Sequence, residues 1–197
     1  VWMSTFNSAI QSNFDIANNT IECYRGGIIL SGFSGTAAHY LISQNNVTKA
    51  DLTTWDVPGA STTNFISGIL VNTASSNAGM SLTNNTITNT YEGLSIGRLA
   101  PGNWIVSGNT VTGSTSIGLY YFSSSAVNPS MQFENNILQN NATGIYLHYL
   151  GAGGTMPVTF TNTPVTGGSV GMQIDGNLVS FPGNVLSGVS FTGQSGN

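Results

Sequence analysis

One pattern, returning about every 25 residues, limits what this chain can become more than any other feature. An asparagine followed two residues later by an aliphatic residue occurs at Asn19/Ile21, Asn45/Val47, Asn85/Ile87, Asn109/Val111 and Asn136/Leu138, and Thr163/Val165 and Asn184/Leu186 continue the series. A glycine followed by two apolar residues spaced two apart occurs at Gly27-Ile28-x-Leu30, Gly68-Ile69-x-Val71, Gly93-Leu94-x-Ile96, Gly118-Leu119-x-Tyr121, Gly144-Ile145-x-Leu147 and Gly171-Met172-x-Ile174. A third apolar pair precedes each asparagine: Phe14/Ile16, Tyr40/Ile42, Met80/Leu82, Trp104/Val106, Met131/Phe133, Val158/Phe160 and Val179/Phe181.

Each block has the period-two alternation of a strand with one buried face. Three short strands per repeat, with no helical stretch between them, exclude a hairpin sandwich. The simplest solution is a solenoid in which each strand stacks parallel on its counterpart in the next coil, about 4.8 Å away. About six to seven coils of three strands are expected, forming one all-β domain over 1–197.

The repeated residues then acquire physical roles. Asparagine at the corner between second and third strands can donate and accept from coil to coil through its side-chain amide. Glycine ahead of the first strand suits a backbone position with positive φ. Inward columns stack like on like, with Phe133 on Phe160 on Phe181, and Ile28, Ile69, Leu94, Leu119, Ile145 and Met172 in another column. Cys23, two residues after inward Ile21, reads as a buried thiol acting as a small apolar filler.

Composition removes several functions. Gly, Ser, Asn and Thr make up 95 of the 197 residues, and only three residues are basic: Arg25, Lys49 and Arg98. Three cations cannot neutralise a nucleic-acid backbone. One Cys and two His cannot build a structural zinc site, and no metal or cofactor is expected. Residues 135–174 carry no Asp, Glu, Lys or Arg, but Asn, Thr, Gly and Pro interrupt every apolar run, so no membrane span is expected. The chain begins at Val1 without a visible signal peptide and reads as a processed product or an excised piece.

The corner NNTI (Asn84–Ile87) followed by GLSI (Gly93–Ile96), with its relatives in the other coils, resembles the repeats of right-handed parallel β-helices in the pectate-lyase-like superfamily. The resemblance covers roughly residues 14–187. It implies a right-handed solenoid and leaves function open, since pectate lyases, galacturonases, epimerases, phage tailspikes and bacterial adhesins share the fold. In members that cleave polysaccharide, the site resembles a groove along the first-strand sheet. In the lyases, Asp clusters hold a metal and an Arg or Lys is the base.

Alternation places Ile29, Leu70, Ser95, Tyr120, Tyr146 and Gln173 outward on that sheet, flanked by Phe122, His148 and Asp175. Tyr120, Phe122, Tyr146, His148 and Gln173 form a candidate glycan-binding surface, because aromatic rings bind the apolar faces of sugars. The 41-residue step between Gly27 and Gly68 marks an inserted loop, 48–64, which carries Lys49, Asp51, Trp55 and Asp56. Trp55 either joins the binding surface or pins the loop to the wall.

Hydrolysis of a glycoside needs two carboxyl groups facing one bond, and elimination needs a base with a group that neutralises the uronate. Asp175 is the carboxylate placed beside this face; Glu92 is two coils or more away, and Arg98 is a lone cation at a strand end. The NTD, paired-aspartate and GHG motifs of galacturonases are absent. The stretch Gly167–Asp175 lacks the spacing of a calcium-binding nonapeptide. If the chain is an enzyme, Asp175 and His148 are the candidates for catalysis.

The sequence therefore favours a non-enzymatic extracellular, cell-surface or virion-surface protein that binds glycan, a partner surface or copies of itself. A polysaccharide lyase or glycosidase is the alternative. A third, ice binding, rests on Thr20, Thr48, Thr86/Thr88, Thr110/Thr112 and Thr166 flanking the third strands, an array broken by Glu22, Ile137, Gln139 and Pro164. Four sequons begin at Asn18, Asn46, Asn84 and Asn141.

Overall fold

The computed structural model describes residues 2–4, 14–23, 26–31, 40–50, 67–72, 80–97, 104–123, 128, 130–149, 156–176 and 185–196. All regular elements among them are β-strands, arranged in three sheets of seven parallel strands. The first sheet takes Trp2–Ser4, Gly26–Ser31, Ser67–Asn72, Glu92–Gly97, Ile117–Ser123, Thr143–Tyr149 and Val170–Gly176. The second takes Phe14–Ala17, Tyr40–Ser43, Met80–Thr83, Trp104–Ser107, Met131–Glu134, Val158–Thr161 and Val185–Ser187. The third takes Thr20–Cys23, Asn46–Lys49, Thr86–Thr88, Thr110–Thr112, Ile137–Gln139, Val165–Thr166 and Phe191–Thr192. Each strand pairs with its counterpart one coil away, as a solenoid requires. Five turns have a stacked neighbour on both sides, and the end rungs are paired on one side, so the solenoid has about five closed turns rather than six to seven.

The alternation in sequence becomes the core. Ile28, Ile69, Leu94, Leu119 and Ile145 are fully buried in one column of the first sheet, and Val47, Ile87, Val111, Leu138 and Val165 fill the third. The second sheet adds Tyr40, Met80, Trp104 and Met131, with Phe133 stacked on Phe160 at 4.6 Å between ring centroids. Cys23 is buried with this core, and burial pushes its thiol up to about 11, which keeps it protonated and poorly nucleophilic at neutral pH.

The corner between second and third strands is held by side chains. Asn19, Asn45, Asn85, Asn109 and Asn136 form a ladder: each Nδ2 except the last donates to the Oδ1 of the next, at 2.9–3.0 Å. The same Oδ1 accepts the backbone N–H of the previous rung. From the second rung on, Nδ2 also donates to a second-strand carbonyl one coil back, such as Asn109 to Leu82 at 2.9 Å. Thr163, fully buried, takes the sixth position.

Among the described residues, positive φ falls mainly in two columns beside the third strand, with Gly168 and Gly176 outside them. Asn18, Gln44, Asn84, Gly108, Asn135, Asn162 and Gly188 precede it, and Asn89, Gly113, Asn140, Gly167 and Gly193 follow it. Asparagine and glycine tolerate this region best, which accounts for the Asn-Asn and Gly-Asn corners. The glycines of the first strand have another role than the one expected. Gly93 lies inside its strand without positive φ, and a Cβ there would stand 2.5 Å from the Gly118 carbonyl oxygen and collide with Val111. Close approach between coils and to the third strand demands glycine at this column.

The last turn also differs from the expected register. Val185–Ser187 is the second strand, with Leu186 paired to Phe160, and Phe191–Thr192 is the third. Val179, Phe181 and Asn184 lie outside the described residues, so the Phe133–Phe160 column continues to Leu186 instead of Phe181. Two physical signals favour this register. Val179-x-Phe181 would put Pro182, which has no N–H, in the strand ladder. Leu186-Ser187-Gly188-Val189-Ser190-Phe191-Thr192-Gly193 repeats the spacing of Val106-Ser107-Gly108-Asn109-Thr110-Val111-Thr112-Gly113, both positive-φ glycines included.

Candidate functional site

The outer face of the first sheet gathers the aromatic residues. Strand register places Tyr120 beside Ser95 and Tyr146, and Phe122 beside Gly97 and His148. One coil further, Tyr146 lies beside Gln173, and His148 beside Asp175. The four rings are offset-stacked as one group. Centroids are 4.9 Å apart for Tyr120 and Phe122, 5.1 Å for Tyr120 and Tyr146, and 5.4 Å for Tyr146 and His148, with interplanar angles of 11–28°. This is the favoured geometry of aromatic pairs. Gly97 makes it possible: a Cβ there would run into the Phe122 ring.

A hydrogen-bonded chain links the polar tips. The Tyr120 hydroxyl is 3.0 Å from His148 Nδ1, His148 Nε2 is 3.3 Å from Asp175 Oδ1, and the Tyr146 hydroxyl donates to Asp175 Oδ2 at 2.6 Å. With neutral histidine, Nε2–H faces the carboxylate and Nδ1 accepts from Tyr120, so one tautomer satisfies both contacts. Burial, with the hydrogen bond to Asp175 second, pushes the Tyr146 hydroxyl up to about 12. Burial also raises Tyr120, with Glu92 and Asp175 adding to the shift. Both tyrosines are therefore neutral donors at physiological pH. The Asp175 side chain is 44% exposed and that of His148 25%.

Glu92 is the residue whose surroundings the sequence conceals. It lies in the same sheet, only 6% exposed, with Ser67 Oγ donating to Oε2 at 3.3 Å. Burial raises its carboxyl above the usual range, opposed by hydrogen bonds from Ser95 and Ser67. The folded state therefore favours the protonated form, and this stabilisation is lost as pH rises through the raised pKa. Glu92→Gln is expected to stabilise the protein at pH 8, with the gain shrinking as pH falls through the raised pKa and gone by pH of about 4, where the unfolded carboxyl is also protonated. Denaturant midpoints of the two proteins across that range check it; a gain largest in acid would contradict the assignment.

Trp55, Asp51 and Asp56 of the inserted loop lie outside the described residues, as do Arg25 and Arg98. Lys49 ends a strand of the third sheet. On the threonine-bearing face of that sheet, Thr86 and Thr88 pair with Thr110 and Thr112, followed by Ile137 and Gln139, and the Thr48 and Thr88 hydroxyls bond each other at 2.8 Å. Among the sequons, Asn18, Asn46 and Asn84 are exposed. Asn141 is 2% exposed, with Oδ1 accepting the Ser114 N–H and Nδ2 donating to the Val111 carbonyl, so the folded solenoid leaves no room for a glycan there.

The fold and this face define a parallel β-solenoid with an ordered aromatic surface on one sheet. The family described as right-handed beta helix region matches residues 4–186, and the chain belongs to that family. Comparison with curated proteins and with solved structures returned no match.

Proposed function

We propose that this protein is an extracellular or surface-displayed β-helix that binds glycan through the outer face of its first sheet. The observation that carries the proposal is the stack of Tyr120, Phe122, Tyr146 and His148 with its polar tips tied to Asp175. Rings held in fixed positions offer contact area at little entropic cost on binding. Removing Tyr120 and Tyr146 together as alanines is expected to weaken polysaccharide binding about tenfold or more, while the fold survives because both side chains point outward. Affinity electrophoresis against a panel of polysaccharides, with circular dichroism as the fold control, reads this directly; unchanged binding would remove the face from consideration.

A second reading, a polysaccharide lyase or glycosidase, rests on the contact between His148 and Asp175, which resembles a proton-transfer pair. The carboxylates weigh against hydrolysis. The register sets Glu92 three coil spacings from Asp175 and five residues away along the strand, about 20 Å at the usual strand dimensions, beyond the ≈ 5–9.5 Å that flanks one glycosidic bond. Turnover abolished by His148→Ala or Asp175→Asn with the fold intact would favour the enzyme.

A further inference from the structure

We infer that the ligand of this face is a neutral saccharide with adjacent free hydroxyls, and that Asp175 is the residue that reads them; this rests on the glycan-binding proposal above. An ionised carboxylate offers about four acceptor positions. In Asp175 one on each oxygen is taken, Oδ2 by the Tyr146 hydroxyl and Oδ1 by His148 Nε2. Those two contacts fix the plane of the group, and with the side chain 44% exposed the remaining acceptors are open to solvent. A carboxylate fixed in this way suits two hydroxyls on neighbouring carbons, one to each oxygen, a charge-assisted arrangement stronger than neutral hydrogen bonds.

The surroundings complete a sugar site. Gln173, exposed and paired with Tyr146 in the strand register, adds an amide that can donate and accept. The ring stack lies directly beside it, so an apolar sugar face and its hydroxyl edge meet different parts of one surface. Charge then selects the class. Among the described residues, the carboxyl groups on this sheet are Glu92 and Asp175, and no Lys or Arg accompanies them. A uronate or sulfate placed here would face the Asp175 carboxylate with no Lys or Arg among the described residues to offset it.

Isothermal titration with cellohexaose, xylohexaose, mannohexaose and hexagalacturonate tests the inference. At least one neutral hexamer is expected to bind more than tenfold tighter than hexagalacturonate. Asp175→Asn, which turns one acceptor into a donor, should weaken that neutral hexamer about tenfold, and Gln173→Ala should weaken it less. Hexagalacturonate binding preferentially, and losing affinity in Arg98→Ala, would overturn the neutral class while leaving glycan binding by this face intact. Neutral binding that is lost in the Tyr120/Tyr146 double alanine variant but unchanged in Asp175→Asn would overturn the role of Asp175 alone. Absence of binding to all four hexamers and to every polysaccharide of the panel would overturn the glycan-binding proposal itself.

Discussion

Asn109→Ala is expected to cost about 3–5 kcal/mol of stability, although it removes only a small polar side chain. Asn109 Oδ1 accepts two hydrogen bonds from Asn85, through its backbone N–H at 3.0 Å and its Nδ2 at 2.9 Å. Its Nδ2 donates to the Leu82 carbonyl and to Asn136 Oδ1. Alanine leaves these buried groups short of partners at once, and each unmet buried group costs about 1–3 kcal/mol before relaxation. Asn19→Ala, at the exposed first rung, is expected to cost only about 1 kcal/mol, because water can replace what is lost there. Equilibrium denaturation of both variants compares them, and equal small losses would mean that the ladder adds little to the fold.

Gly93→Ala is expected to be nearly as damaging, about 3 kcal/mol or more. The new methyl would meet the Gly118 carbonyl of the next coil and the Val111 side chain of the third strand, so relief requires the coils to separate. Gly97→Ala adds the same methyl in the same strand, but its three nearest neighbours all belong to the Phe122 ring, which can rotate away. A cost of roughly 1 kcal/mol or less is expected there, with the loss appearing in the aromatic stack instead of in stability. If the two variants unfold at the same denaturant concentration, backbone approach is not what selects glycine at position 93.

The contrast between these glycines marks how far the sequence could be read. The period of Asn, Gly and apolar pairs fixes the stacking of strands, because only one register buries every inward column. It does not distinguish glycine needed for positive φ from glycine needed for space, and the first-strand column is of the second kind. The shift from Phe181 to Leu186 in the last turn was legible in the Ser-Gly-x-x-x-Thr-Gly spacing shared with residues 107–113, but the apolar pair Val179/Phe181 masked it. On the site, alternation sufficed to bring Tyr120, Tyr146, Gln173, His148 and Asp175 to one face. The links among their polar tips depend on side-chain rotamers, and the burial of Glu92 depends on its three-dimensional surroundings. Neither leaves a trace in residue spacing.

A crystal structure of the protein grown with the tightest-binding neutral hexasaccharide is the most direct measurement. Sugar density is expected on the outer face of the first sheet, with two adjacent hydroxyls on the Asp175 carboxylate and a sugar ring against the aromatic stack. Sugar seated instead on the threonine-bearing face of the third sheet, or a bound chain that leaves Tyr146 and Asp175 untouched, would contradict it.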